Sequence, residues 1–188
     1  CTDATYHGNS AEVSKLTGAK SNQGDVRSIR FPETYRTDTE DPLNHHLREL
    51  QLVIESFRED GTPFAGMLVC PILANEGLPN IPKGYMAEAA KIVHQAGGVF
   101  MADEVQAGLC RTGMWWGYQT MGVVPDIVTM GKPLGGGIPL AATAASTEIT
   151  ETFRRHTRYF NTCASSQSKP QLEMLCLTSL NKKIYGRM

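Results

Sequence analysis

The sequence lacks an excess of either charge. Its 188 residues include 18 Lys and Arg against 19 Asp and Glu, which gives a formal net charge of −1. Proteins that bind nucleic acid or acidic membrane surfaces through electrostatic attraction usually carry a basic excess. The charge balance therefore gives no reason to expect a nucleic acid or a membrane as a partner.

Long apolar runs are also missing. The longest nearly apolar stretch, FAGMLVCPILA (64–74), has about half the length of a membrane span and contains a proline. We see no signal peptide, internal repeat or low-complexity tract. With 41% hydrophobic residues, the composition is that of an ordinary globular chain. We expect one domain, or part of a larger one.

The cysteines and histidines form no metal-binding pattern. The five cysteines are widely spread, and no two have C-x-x-C spacing. This argues against a zinc cluster or a disulfide framework, and we expect a reducing, cytoplasmic location. His45 and His46 have no further metal ligand at a useful spacing, so no metal site is predicted.

The chain begins with Cys1 instead of methionine. A processed lipoprotein would begin in this way, and so would a fragment of a longer protein. We favour the fragment, and the motifs described below strengthen that expectation.

Apolar periodicity predicts alternating helices and strands. Asp41-Pro42 is a good helix start, and apolar residues then recur at steps of four and three as far as Phe57. A second helix is predicted over 82–96. Short apolar strands are predicted at 66–70, 98–104, 126–131 and 139–146. This alternation is typical of a parallel α/β sheet flanked by helices.

Two charged residues follow neighbouring predicted strands. Asp103 ends the strand at 98–104, and Lys132 comes just after the strand at 126–131. Ligands of open α/β sheets bind beyond the carboxyl ends of the strands. We therefore expect both side chains to project toward one crevice.

The glycine cluster at Lys132 is not a phosphate-binding P-loop. That motif needs glycines before the lysine and Ser or Thr after it, whereas here Pro133 follows and the glycines come later, at 135–137. A lysine that forms a Schiff base with a carbonyl fits better. Asp103 would then keep the ring nitrogen of pyridoxal phosphate protonated. From the residues alone, a loop lysine and a capping aspartate remain the simpler interpretation.

The longer sequence context adds a family resemblance. Residues 97–142 contain D-E-V-Q, R-T-G, P-D-I-V-T-M-G-K and G-G-G-I-P in that order. This stretch resembles the signature of class III aminotransferases, which are pyridoxal-phosphate enzymes of fold type I. YHGNS (6–10) and YFNTCAS (159–165) resemble further segments of that family. The resemblance covers residues 1–166 and implies part of the cofactor-binding large domain.

The resemblance also implies roles for individual residues. Lys132 becomes the Schiff-base lysine and proton-transferring base, and Asp103 becomes the partner of the ring nitrogen. Gln106 is implied to hydrogen-bond the phenolic oxygen of the cofactor. Val105 is implied to pack on one ring face, and Tyr6 to stack on the other with His7 beside it. Thr162 is implied to bind the phosphate of the cofactor held by a partner subunit. The last contact implies a homodimer.

Two cysteines depart from the family pattern. Cys110 stands where glycine is usual, and it would strain the turn if that position has a positive φ. Cys70 stands where many members carry a glutamate near the active site, which leaves substrate choice open. The family places a phosphate-binding turn before the Y-H-G segment and a small domain after the sheet. We therefore expect the chain alone to bind the cofactor poorly and to be inactive.

The implied activity of the intact protein is transfer of an amino group from an amine or amino acid to an oxo acid. PILANEGLP (71–79) and PETYR (32–36) resemble a branch that contains phospho-lyases acting on phosphoethanolamine and phosphohydroxylysine. A phospho-lyase acting on a phosphorylated amine is thus the alternative, since both reactions begin with proton removal by the lysine. A non-catalytic gene remnant is the alternative of another class.

The resemblance stops after Ser166. We expect residues 167–188 to be a frame-shifted or unrelated tail without site residues, because a shifted reading with synonymous codons can encode a family-like helix. The nucleotide sequence across these codons decides the matter.

Overall fold

The computed structural model describes residues 1–18 and 24–158. Thr162 and the tail at 167–188 lie outside these ranges. The contact predicted for Thr162 and the domain boundary predicted after Ser166 stay predictions.

A four-stranded sheet forms the centre of the described chain. Its strands are β1 (Gly66–Val69), β2 (Val99–Asp103), β3 (Ile127–Met130) and β4 (Ala142–Ala145). They lie side by side in chain order. The first three strands are parallel, and β4 runs antiparallel to β3. The predicted α/β fold with a mostly parallel sheet is confirmed.

Three α-helices accompany the sheet: α1 (Pro42–Glu59), α2 (Tyr85–Gln95) and α3 (Thr147–His156). Asp41 caps α1 as expected, because its Oδ1 accepts a hydrogen bond from the Asn44 amide at 3.1 Å. None of the described helices combines the length and the apolar character that crossing a bilayer requires.

The hydrophobic core lies where α1, α2 and the first two strands pack together. Leu50 and Ile54 of α1, Ala89 and Val93 of α2, and Phe100 of β2 are all at least 95% buried. Burial of this apolar face holds the sheet in place. Because β1, β2 and β3 are parallel, their carboxyl ends meet at one edge of the sheet, where Asp103 and the segment after β3 lie.

Asp126 fixes the start of β3 against β2. Its Oδ2 accepts a hydrogen bond from the Phe100 amide at 2.7 Å and lies 2.7 Å from Nε2 of His94 on α2. The Asp126 amide in turn donates to the Phe100 carbonyl at 2.8 Å. These contacts anchor the chain at the residue just before β3, and the register that follows sets Thr129 opposite Asp103.

Candidate active site

Asp103 is the buried carboxylate of the site, with 7% of its surface exposed. Its Oδ2 lies 2.6 Å from Nδ1 of His7, and its Oδ1 accepts a hydrogen bond from the Val105 amide at 3.0 Å. The Thr129 hydroxyl on β3 donates a longer bond, at 3.4 Å, to the same oxygen. Three donors thus orient an acid that sits at the carboxyl end of β2.

His7 is itself held by its neighbours. Its Nε2 lies 3.0 Å from the Thr5 hydroxyl, and its amide donates to the Thr17 hydroxyl at 3.1 Å. The side chain of His7 is 1% exposed. With the proton on Nδ1, the ring donates to Asp103 and accepts from Thr5, so both ring nitrogens are satisfied. The resemblance implies that His7 lies beside Tyr6 as a cofactor contact, which stays a prediction. In the structure the His7 ring pairs with the Asp103 carboxylate.

Lys132 follows β3 in a strained conformation. Its φ is +42°, in the left-handed region, where a non-glycine residue costs about 1–2 kcal/mol. It opens a short 3-10 turn, Lys132–Gly135, in which the Leu134 amide donates to the Gly131 carbonyl at 3.0 Å. Such strain in a non-glycine residue is characteristic of functional positions.

The Lys132 side chain is exposed. Within residues 1–18 and 24–158, its ammonium has neither a hydrogen-bond nor an ion-pair partner. An amine without a partner needs no bond broken before it reacts with a carbonyl.

Gln106 and Val105 lie on the loop that leaves β2, and both are half-buried. Oε1 of Gln106 accepts a hydrogen bond from Arg111 at 3.0 Å. With the oxygen occupied, the amide NH₂ group remains free to donate, as the predicted contact with a phenolic oxygen requires. Arg111 therefore orients Gln106, a role that the sequence did not reveal.

Tyr6 is 49% exposed and directly precedes His7. Its carbonyl oxygen accepts a long hydrogen bond, 3.4 Å, from the Asn75 side chain. An exposed aromatic side chain next in sequence to His7 is free to cover a planar ligand. Its predicted stacking role stays a prediction.

Glu104 is a site-building residue that sequence reasoning missed. It is 2% exposed, and its two carboxylate oxygens accept hydrogen bonds from the amides of Gly117 and Tyr118, each at 2.8 Å. Burial raises the pKa of this carboxyl, although the two amide donors act in the opposite direction. A Cβ at position 117 would lie 2.5 Å from the Cβ of Ala107, so only glycine fits against this carboxylate. Glu104 thus closes the loop that carries Val105 and Gln106.

We predict that Glu104→Ala destabilises the chain by about 3 kcal/mol, because the buried Gly117 amide and the partly buried Tyr118 amide lose their acceptor. Urea unfolding of the two proteins measures the difference. Glu104→Gln is the matched variant: it keeps one acceptor oxygen, so it should lose less than the alanine variant. Equal stability of the alanine variant and the wild type would contradict this role.

Cys110 has the positive φ that the family's glycine implied. Its φ is +68°, and that of Leu109 is +58°. Two consecutive non-glycine residues in the left-handed region strain the turn. The predicted strain at Cys110 agrees with this backbone geometry.

Cys110→Gly is predicted to stabilise the chain by about 0.5–1 kcal/mol. The left-handed penalty of about 1–2 kcal/mol disappears, but glycine loses more entropy on folding. Chemical unfolding midpoints check the effect. Cys110→Ala keeps the Cβ and therefore the strain, so it should gain nothing; a gain as large as that of glycine would refute the backbone explanation.

Cys70 directly follows β1 and is 2% exposed. Burial raises the pKa of its thiol, with smaller contributions from the charges of Asp103 and Glu76. The thiol therefore stays protonated near neutral pH. It brings a small neutral group to this edge of the sheet, where many family members have a glutamate.

The arrangement fits the ring of pyridoxal phosphate. A carboxylate offers about four lone-pair positions. The described donors to Asp103 occupy three of them, and one remains for a protonated ring nitrogen. The free NH₂ of Gln106 and the unpaired amine of Lys132 are the other two groups for which the resemblance predicts contacts with such a ring.

Comparison with known proteins gives the same family as the motifs. The family model described as aminotransferase class-III matches residues 2–180. This match extends past Ser166 into the segment predicted to be unrelated. A mitochondrial alanine–glyoxylate aminotransferase 2 homologue from Arabidopsis thaliana is 35% identical over 95% of the chain and 38% of that relative's length.

Two solved structures have a similar fold. A phospholyase from Arthrobacter, in complex with phosphoethanolamine, is 36% identical with a TM-score of 0.77, over 85% of this chain and 40% of that one. An (S)-enantioselective omega-transaminase from Thermomicrobium roseum is 27% identical with a TM-score of 0.79, over 99% of this chain and 44% of that one. The chain spans less than half the length of these relatives. It belongs to the class III aminotransferases, a family of pyridoxal-phosphate enzymes.

Proposed function

We propose that the chain forms the cofactor-binding part of a transaminase that moves an amino group from an amine or amino acid to an oxo acid. The observation that carries the proposal is the buried Asp103 carboxylate, held at the end of β2 by His7, with Lys132 at the end of the neighbouring strand. Family membership supports the reaction class.

The residues at this edge of the sheet would hold pyridoxal phosphate. Asp103 would accept a hydrogen bond from the protonated ring nitrogen, and Gln106 would donate one to the phenolic oxygen. Val105 and Tyr6 would cover the two ring faces. When bound, the cofactor supplies an aldehyde that captures amines and a ring that withdraws electrons from the reacting carbon.

Asp103 would act by holding a positive charge on the ring nitrogen. Three hydrogen-bond donors orient its two oxygens, and His7 keeps Oδ2 in a fixed direction. Because the carboxylate is buried, its charge acts on the ring with little screening by water. His7 is therefore a positioning residue for Asp103.

Lys132 would be the base. Its Nζ removes the proton from the substrate carbon that bears the amino group. A short turn that begins at the lysine itself places this amine at the end of β3. A general base of this kind typically contributes about 10²–10⁴-fold to the rate.

The assembly proposed is a homodimer in which Thr162 of one subunit contacts the cofactor phosphate of the other. The compartment proposed from the cysteines is the cytoplasm. The plant relative is named as mitochondrial. Cell fractionation with an antibody against this protein would show whether it lies in the cytoplasm or in mitochondria.

Phosphate elimination from a phosphorylated amine is the second candidate. It is favoured by the Arthrobacter phospholyase, which is 36% identical over 85% of the chain. Both reactions need the same base, but they differ in the bond that breaks next: elimination expels phosphate, whereas transfer returns the proton and releases an oxo product.

One pair of assays on the intact enzyme separates the two. With alanine and an oxo acid, a transaminase forms pyruvate in proportion to the oxo acid supplied. With phosphoethanolamine and no oxo acid, a phospho-lyase releases inorganic phosphate. Oxo-acid-dependent turnover without phosphate release is the expected result. Phosphate release that needs no oxo acid would replace the proposal by the second candidate, and activity in neither assay with a range of amines would reject both.

A further inference from the structure

Three potential metal ligands share one face of α1. His45 and Glu49 are four residues apart, and His46 and Glu49 are three apart, so the carboxylate lies one turn beyond both rings and between them in projection. No metal site was predicted from the sequence, where the two histidines were not paired with Glu49.

The ligand atoms are close together. Nδ1 of His46 lies 3.1 Å from Oε2 of Glu49, and Nε2 of His45 lies 3.8 Å from Oε1. One ligand atom of each residue lies within 4.8 Å of those of the other two. Bonds of about 2.0–2.2 Å to one ion put neighbouring ligand atoms roughly 3–4 Å apart. Small side-chain rotations therefore suffice to bring all three onto an ion.

His46 has the backbone support that a ligating histidine normally has. Its Nε2 lies 3.2 Å from both the carbonyl oxygen and the amide nitrogen of Glu33. With the proton on Nδ1, the ring donates to Glu49 and accepts from the Glu33 amide. With the proton on Nε2, it donates to the Glu33 carbonyl and Nδ1 becomes a free ligand, as in most metal sites. The ring can thus become a ligand in place: one proton passes from Nδ1 to Nε2, and the bond from the Glu33 amide is exchanged for one to the Glu33 carbonyl.

The site is fixed on one side and open on the other. The His46 side chain is 1% exposed and packs edge-on against Tyr85, with ring centroids 6.3 Å apart. The Tyr85 hydroxyl is buried and has no hydrogen-bond partner in the described part of the chain. The side chains of His45 and Glu49 are 45% and 32% exposed, which leaves an entry path for an ion.

We propose that His45, His46 and Glu49 bind one divalent transition-metal ion, with water completing the coordination. Two imidazole nitrogens and one carboxylate oxygen suit Zn²⁺, Ni²⁺ or Cu²⁺, whereas Mg²⁺ and Ca²⁺ prefer oxygen ligands throughout. No hydrogen bond or ion pair in the described chain links these three residues to Asp103 or Lys132. The site is therefore separate from the proposed transaminase site.

Zinc titration of the full chain by calorimetry tests the proposal, in a Cys1→Ser background that removes the chelating amine–thiol pair at the first residue. We expect one saturable Zn²⁺ per chain and no heat with Mg²⁺. His45→Ala and Glu49→Gln should each weaken zinc binding at least about tenfold. Both positions are partly exposed, so circular dichroism should show an unchanged fold.

His94→Ala is the matched control. His94 is equally exposed, at 45%, and also pairs with a carboxylate, Asp126, but the described chain offers it no third ligand. Its zinc affinity should stay within about twofold of the parent chain. Absence of saturable zinc binding, full affinity in His45→Ala, or an equal loss in His94→Ala would overturn the proposal.

Discussion

Lys132→Ala is expected to lower the turnover of the intact enzyme by about 10⁴-fold, the upper end of what a proton-transferring group contributes. The alanine side chain can neither attack the cofactor aldehyde nor remove a proton from the substrate. Because the Lys132 side chain is exposed and unpaired among the described residues, its removal should leave folding stability nearly unchanged. Steady-state turnover and urea unfolding measure the two effects.

Lys91→Ala is the control for this loss. Lys91 is also an exposed lysine, and it pairs with Glu88 on the surface of α2. Its replacement should leave turnover unchanged. If Lys132→Ala kept turnover within about tenfold of the wild type, Lys132 could not be the base.

Asp103→Asn is expected to lower turnover by about 10²–10³-fold, the range measured when a buried electrostatic group is removed from an active site. Asparagine has nearly the same shape but no charge, so the ring nitrogen would no longer be held protonated. The asparagine NH₂ group also replaces one acceptor oxygen by a donor, and this donor faces either His7 or the Val105 amide. Turnover per folded molecule, with cofactor affinity measured alongside, is the readout.

Asp126→Asn separates this electrostatic role from a structural one. Asp126 resembles Asp103 in contacting a histidine, at 2.7 Å, and in accepting from a backbone amide, also at 2.7 Å. It lies at the opposite end of the strands, where β3 begins. Its replacement should lower stability but leave turnover per folded molecule unchanged. Equal losses of turnover in both variants would show that Asp103 acts only through the fold.

The sequence predicted the elements that have an apolar face. The apolar face of α1 packs against α2, and that of α2 packs against β2, so the periodicity of both helices is visible. The four predicted strands appear within a few residues of their predicted bounds. Helix α3 was missed because it buries none of its residues. It begins at the Ser146 cap and has the apolar residues Ile149 and Phe153, too few for a periodic signal.

The site was only partly predictable. Strand ends placed Asp103 and Lys132 at one edge, and parallel register would also have identified Thr129 opposite Asp103. The His7–Asp103 pair joins residues 96 positions apart, and no local spacing reports such a contact. The sequence indicates no role for Glu104, because its function depends on a loop that returns to it 13 residues later.

Locating the cofactor's covalent attachment on the chain tests the central claim most directly. The intact enzyme is incubated with pyridoxal phosphate, reduced with borohydride and digested, and mass spectrometry assigns the pyridoxyl group to individual lysines. Our account predicts that Lys132 is labelled far ahead of the exposed Lys83 and Lys91, and that Asp103→Asn reduces this preference. Even labelling of all exposed lysines, or an unlabelled Lys132, would contradict it.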